Sequence, residues 1–272
     1  MTKVRLLNGL LMHYEVNGTG DPLVLIAGTG RDHEGWALHV PKYSKHFKVV
    51  TYDHVGTGLS DKPQSLHDYS VPKLAEHLHL LMEAVGISRA HVIGQSLGSA
   101  VAQELAISHP DKVRSLVLCA TWGRTDEWLS RMFDFMFELV EKGDVATFVK
   151  VAYLLLVSPK FFEDNKDRLE SLEKQRLAMY SDIVAQRALL GHLYADKGHN
   201  TLERLHLIKA PTLVLAGESD IQIPLRYSRK VYERIPGCKL HIFLEENASH
   251  FFYLEKFEDF LSVTEDFLGS CP

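Results

Sequence analysis

The sequence predicts an α/β fold with a mostly parallel central sheet. Three features predict it: short unbroken apolar runs, helical spacing between those runs, and one glycine-flanked serine where a run meets a helix. Residues 23–27, Leu-Val-Leu-Ile-Ala, form the first such run and stop at Gly28-Thr29-Gly30. Residues 48–52, 91–95 and 113–119 repeat the pattern. Runs without polar alternation imply strands covered on both faces, so helices are expected on both sides of the sheet.

The connecting segments have helical spacing. Across residues 71–85, Leu74, Leu78, Leu81 and Val85 fall on one stripe, Pro72 suits a first turn, and Gly86 suits a stop. Residues 97–108 read as a second helix. Ahead of this series, Asn8-Gly9 between two short apolar stretches predicts a hairpin. After Thr121 the rhythm changes. Residues 122–205 contain no buried-strand pattern and carry helical stretches rich in Phe, Leu and Met, so a helical lid is expected there. The strand signal resumes at residues 211–216 and 239–244, with helices at 226–235 and 257–268. The expected organisation is a core of residues 1–121 and 206–272 with a lid of residues 122–205 between its halves.

Bulk properties narrow the function. The chain has 272 residues, enough for a large core, with 46% hydrophobic and 24% charged residues. A formal net charge of −5 lacks the basic excess that a nucleic-acid surface needs. Cys119, Cys238 and Cys271 are widely spaced and odd in number, so no disulfide framework is expected. The first residues carry no apolar run after their charges, and no stretch of about 18 apolar residues occurs; a cytoplasmic protein without a membrane partner is expected.

Gly94-Gln95-Ser96-Leu97-Gly98 fits G-x-S-x-G and lies between a strand and a helix. A turn this sharp exposes the serine at a helix N-terminus, where backbone N–H groups favour developing negative charge. A hydroxyl nucleophile needs a base, and the base needs a carboxylate to fix its tautomer. His250, after the last strand, is the expected base. Asp220, after the run ending at Ala216, is the expected acid, with Glu218 a nearby rival. The Leu97 and Thr29 backbone N–H groups are the expected oxyanion donors, Gly30 being the alternative to Thr29.

On these residues the chain resembles the α/β-hydrolase superfamily over nearly its whole length. Within it, the chain is similar to the lid-bearing branch of esterases, enol-lactonases and aminoacrylate hydrolases. The matching stretches are Ala27-Gly28-Thr29-Gly30 with Trp36, residues 52–60, the Ser96 turn, Gly217-Glu218-Ser219-Asp220 with Pro224, and His250-Phe251 with Glu255. Two departures stand out. Ala27-Gly28 replaces the His-Gly that many members carry before the oxyanion loop, and Ala248-Ser249 replaces the Gly-Gly before the histidine. The resemblance implies that Asp53 and residues 56–60 are structural.

The expected activity is hydrolysis of a small to medium, largely apolar carboxylic ester or lactone through an acyl-enzyme, without cofactor or metal. Carbon–carbon or carbamate hydrolysis by the same three residues is an alternative, as is a ligand receptor with weak hydrolysis. The substrate pocket is expected to include Gly30, Trp122, Trp128, Phe133 and Tyr153, with Met136 and Phe137 as further candidates. Arg124, Arg187 and His192 are candidate anchors for an acidic substrate group. Gly28-Thr29-Gly30 does not extend to a dinucleotide fingerprint, because position 33 is His. His77 and His79 are two apart and cannot share a helix face as metal ligands. Oligomeric state is left open.

Overall fold

The structure, a computed structural model, describes residues 2–271. Met1 and Pro272, the outer ends of the two expected core segments, lie outside the described residues. Strands β1 (Thr2–Arg5) and β2 (Leu11–Asn17) form the hairpin around Asn8-Gly9. β3 (Asp21–Ile26) leads through helix α1 (Val40–Tyr43) to β4 (Phe47–Tyr52). Helix α2 (Val71–Ala84), β5 (Ala90–Gln95), helix α3 (Leu97–Ser108) and β6 (Val113–Cys119) follow in strict alternation.

The eight-stranded sheet has the order β1-β2-β4-β3-β5-β6-β7-β8, where β7 is Thr212–Gly217 and β8 is Lys239–Phe243. Among the strand pairs of the described sheet, only β1–β2 and β2–β4 are antiparallel. The winding reverses between β4 and β5, which lie on opposite sides of β3. A reversal of this kind opens a crevice at the carboxyl ends of the central strands. The loop after β3 and the turn after β5 both sit there.

Burial explains the sequence pattern. Leu23 to Ile26 are fully buried, as is every residue of β5. α3 is buried from Leu97 to Ala106, so it has no polar face. The charged exception, Glu104, receives two hydrogen bonds from Arg204, at 2.8 and 2.7 Å. A paired, hydrogen-bonded carboxylate of this kind avoids the heavy cost of a lone buried charge.

Five helices fill the segment between β6 and β7: α4 (Glu127–Glu141), α5 (Val145–Leu156), α6 (Pro159–Asp164), α7 (Lys166–Met179) and α8 (Ile183–Lys197). Short side chains start four of them. Asp126, Asp144, Ser158 and Asp182 each accept a bond from a first-turn N–H, a cap worth about 1 kcal/mol apiece. α9 (Leu225–Arg234), α10 (Phe252–Glu255) and α11 (Phe257–Gly269) complete the chain. No helix of the described residues is long and apolar enough to cross a membrane.

Candidate active site

The turn at Ser96 is fixed by close backbone packing. Ser96 has φ 54° and ψ −123°, a conformation that L-residues rarely adopt and that costs about 1–3 kcal/mol. The two flanking glycines make it possible. A Cβ on Gly94 would strike the Gly98 carbonyl, and one on Gly98 would strike the Ile26 and Ala27 carbonyls. The Ser96 N–H bonds the Cys119 carbonyl at 3.0 Å, tying the turn to β6. The serine therefore projects from the sheet at the switch point.

His250 is fully buried, and its Nδ1 lies 2.8 Å from Asp220 Oδ2. Asp220 in turn accepts the Gln222 and Ile223 N–H groups on Oδ1, at 2.9 and 2.8 Å. One carboxylate oxygen is thus held by backbone and the other by imidazole. Glu218, the rival acid, is exposed. With Nδ1 donating to Asp220, Nε2 is left as the basic nitrogen, and it is buried without a partner. Ser96 and His250 line one cavity of about 30 Å³, without a hydrogen bond between them. That volume suits a water molecule rather than a substrate.

The cavity is unusually rich in unused polar atoms. Arg31 Nε, Gln95 Nε2, Asp196 Oδ1, Gln222 Oε1 and His250 Nε2 are all buried without partners among the described residues, and all five residues line it. Buried polar groups normally find partners, so this concentration marks a place built to receive a ligand.

The loop after β3 is gripped from several directions. His54 Nε2 bonds the Ala27 carbonyl at 3.0 Å. Arg176 donates to the Thr29 carbonyl at 3.0 Å, and Tyr180 donates to the Gly30 carbonyl at 2.7 Å. The Thr29 hydroxyl donates to Asp196 at 2.8 Å. The Gly30 N–H donates to His192 Nδ1 at 3.1 Å, while His192 Nε2 bonds the Val55 carbonyl at 2.9 Å. Gly30 therefore has no free N–H to offer. The Thr29 and Leu97 N–H groups have no acceptor among the described residues.

Electrostatics separate the buried groups. Burial lowers the His192 pKa to about 4 and that of His54 to about 3, so both rings are neutral. Burial raises Asp196 to about 8, with only the Thr29 hydroxyl opposing it. Near neutral pH this carboxyl keeps its proton.

The expected pocket residues scatter. Phe133 lines the cavity, as does Met136. Trp122 instead lies in the core, where its indole donates to Thr125 and its ring meets Phe133 and His199. Trp128 is on the surface, 45% exposed, with Arg226 over its ring. Tyr153 lines a separate, larger pocket of about 510 Å³. Gly30 is occupied by Tyr180 and His192 and borders neither of these two spaces. The candidate anchors are likewise committed elsewhere. Arg187 bonds the Gln64 carbonyl, Arg124 is exposed beside Asn200, and His192 is neutral with both nitrogens used.

Sequence reasoning did not single out Arg31, Arg176, Asp196, Gln95 or Gln222. A signal for Arg176 exists in α7, where Leu169, Leu172 and Arg176 follow the i, i+3, i+7 spacing of an inward stripe. His77 is buried and His79 stacks on His109, both away from the cavity.

Residues 21–257 match the family described as the alpha/beta hydrolase fold. The chain belongs to this family. A relative from Caulobacter sp. (strain K31), named "Putative carbamate hydrolase RutD", is 31% identical over 236 residues, covering 85% of this chain and 86% of that protein. Two solved structures share the fold. MGS-M2, an alpha/beta hydrolase enzyme from a Medee basin deep-sea metagenome library, has a TM-score of 0.92 at 22% identity, covering 100% of this chain and 98% of its own. The enol-lactonase from Burkholderia xenovorans LB400 has a TM-score of 0.86 at 22% identity, covering 99% of this chain and 100% of its own. As an α/β hydrolase with helices between β6 and β7, the chain matches the resemblance that its sequence motifs carry.

Proposed function

We propose that this α/β hydrolase is a serine hydrolase that cleaves a carboxylic ester or lactone through an acyl-enzyme, with Ser96 as nucleophile, His250 as base and Asp220 as its orienting acid. One observation carries the reading. The imidazole is committed to Asp220 through one nitrogen, while the other is buried, unpartnered and turned to the cavity that holds Ser96. Substrate binding brings hydroxyl and imidazole into hydrogen-bond contact, a tightening common when an unliganded site fills.

In this mechanism His250 Nε2 takes the Ser96 proton as Oγ attacks the carbonyl carbon. The Thr29 and Leu97 N–H groups receive the oxyanion, and both are free to do so. The imidazolium then protonates the leaving alcohol. A water deprotonated by the same nitrogen attacks the acyl-enzyme, and the proton returns to Ser96. Carbamate hydrolysis is the second reading, favoured by the name of the Caulobacter relative. It uses the same groups and passes through a carbamoyl-enzyme in place of the acyl-enzyme.

A panel of p-nitrophenyl esters, lactones and carbamates, run on wild type and on Ser96→Ala, tests both readings. The substitution is expected to lower kcat by at least about 10³-fold, with circular dichroism unchanged. Equal turnover by the two proteins would remove Ser96 from the mechanism. Turnover of carbamates ahead of esters would establish the second reading.

A further inference from the structure

We propose that the substrate carries a free carboxylate, held by Arg31 and Arg176 on the wall between the 30 Å³ cavity and the 510 Å³ pocket. The proposal rests on the hydrolase reading of that cavity and adds the chemical class of its substrate. Three residues, Arg31, Arg176 and Phe251, line both spaces. Two of the three are cations.

Neither guanidinium has an acidic partner. Among the described residues no carboxylate lies within ion-pair distance of either one. Arg31 makes no side-chain hydrogen bond, its Nε is buried and unpartnered, and its guanidinium lies 5.3 Å from the Phe251 ring centre. Arg176 is only 7% exposed and spends one N–H on the Thr29 carbonyl. Its guanidinium rests 5.4 Å from the Tyr180 ring centre. Holding these two guanidinium groups out of water without an ion-paired carboxylate is expensive. The cost is offset when an anion binds between them.

The acids of the outer pocket are engaged elsewhere. Glu255 is bound by Ser158 and Ser249, and Asp32 caps the turn at Glu34. Glu34 lies beside His33. None of these acids forms an ion pair with either arginine, although Asp32 favours the Arg31 charge through space, and together they disfavour a dianion nearby. Both carboxylate and phosphate match a guanidinium fork, and the single charge of a carboxylate meets less repulsion from these acids than a phosphate dianion does. Leu38, Leu172, Met179 and Leu254 supply apolar wall for the carbon chain that carries the carboxylate. A substrate larger than the inner cavity has to displace this wall, so binding the carboxylate and opening the cavity are one event.

The test compares charge at matched chain length. Mono-p-nitrophenyl glutarate and p-nitrophenyl hexanoate share leaving group and chain length, and only the first carries a carboxylate. Wild type is expected to prefer the anionic ester by about tenfold or more in kcat/KM, the size of a charge-assisted hydrogen bond. Arg31→Gln and Arg176→Gln should each lower that ratio about tenfold, and Arg31→Lys should restore part of it. A wild-type ratio of one or less overturns the proposal, and that comparison needs no variant to fold. Titration calorimetry on Ser96→Ala separates this proposal from the hydrolase reading. Monomethyl glutarate should bind at least about tenfold more tightly than dimethyl glutarate, and less tightly as NaCl is added. Such binding without turnover of any ester by wild type would sustain the anion site and refute the hydrolase. Inorganic phosphate binding as tightly as the monoester would refute the carboxylate assignment.

Discussion

The two sides of the cavity are built differently. On the sheet side, backbone does the positioning. Ser96 is fixed by its own strained turn and by β6, and Asp220 by two N–H groups of the following turn. On the side of the helical segment, side chains do it. Arg176, Tyr180, His192 and Asp196, all from α7, α8 and the link between them, hold residues 29 and 30 by hydrogen bonds. The difference teaches where change is tolerated. Backbone contacts admit no alternative residue, whereas side-chain contacts can be removed one at a time.

The largest effect is therefore expected on the sheet side. Gly98→Ala puts a methyl group against the Ile26 and Ala27 carbonyls, which belong to the central strand and the loop that follows it. Overpacking against backbone that cannot yield should cost about 3 kcal/mol or more. Urea unfolding measures it. A variant as stable as wild type would show that the turn is looser than its contacts imply.

Asp196 gives an effect whose size is set by pH. Its folded pKa, about 8, lies above the ordinary value of 3.8. The unfolded chain releases this proton above pH 4, while the folded chain keeps it until about pH 8. The stability tied to this proton is therefore full below pH 4 and is lost as pH rises through the window to 8, at up to about 1.4 kcal/mol per pH unit. Asp196→Asn has no such proton. Its Tm should exceed that of wild type at pH 8, with the gap closing toward pH 4. Taking the difference between the two proteins cancels the buried histidines, which titrate in both. A constant gap across the window would mean that Asp196 is ionised in the folded protein.

The same division explains what the sequence reveals. The strands were legible because two-sided burial leaves unbroken apolar runs, as in β3 and β5. Ser96 was legible because close backbone approach demands glycine at fixed offsets. His250 and Asp220 were legible from their places after successive strands. The helical side was not. Thr29 meets Arg176 and Asp196 across 147 and 167 residues of chain, and such contacts leave no local pattern. Aromatic content misled for a related reason, since it marks burial but not direction. Trp122 turns into the core and Trp128 to the surface, while Phe133 alone of the expected aromatics reaches the cavity. In α4, Phe133 and Met136 are buried while Phe135 between them is 51% exposed, which the helical period explains.

Tyr180→Phe should give the smallest effect and divides the roles of the helical side most finely. The buried hydroxyl donates to the Gly30 carbonyl, one residue beyond the Thr29 N–H proposed to receive the oxyanion. Losing it leaves that carbonyl without its donor, at a cost of about 1–2 kcal/mol. The Gly30 N–H keeps its bond to His192, so the loop can drift without unfolding. A small displacement of an oxyanion donor weakens transition-state binding more than substrate binding, so kcat should fall up to about tenfold while KM stays within about twofold. Steady-state kinetics on an ester that wild type turns over, alongside a thermal melt, reads both quantities. A lower Tm with unchanged kcat would assign the Tyr180 contact to stability alone and leave the orientation of Thr29 to Arg176 and Asp196.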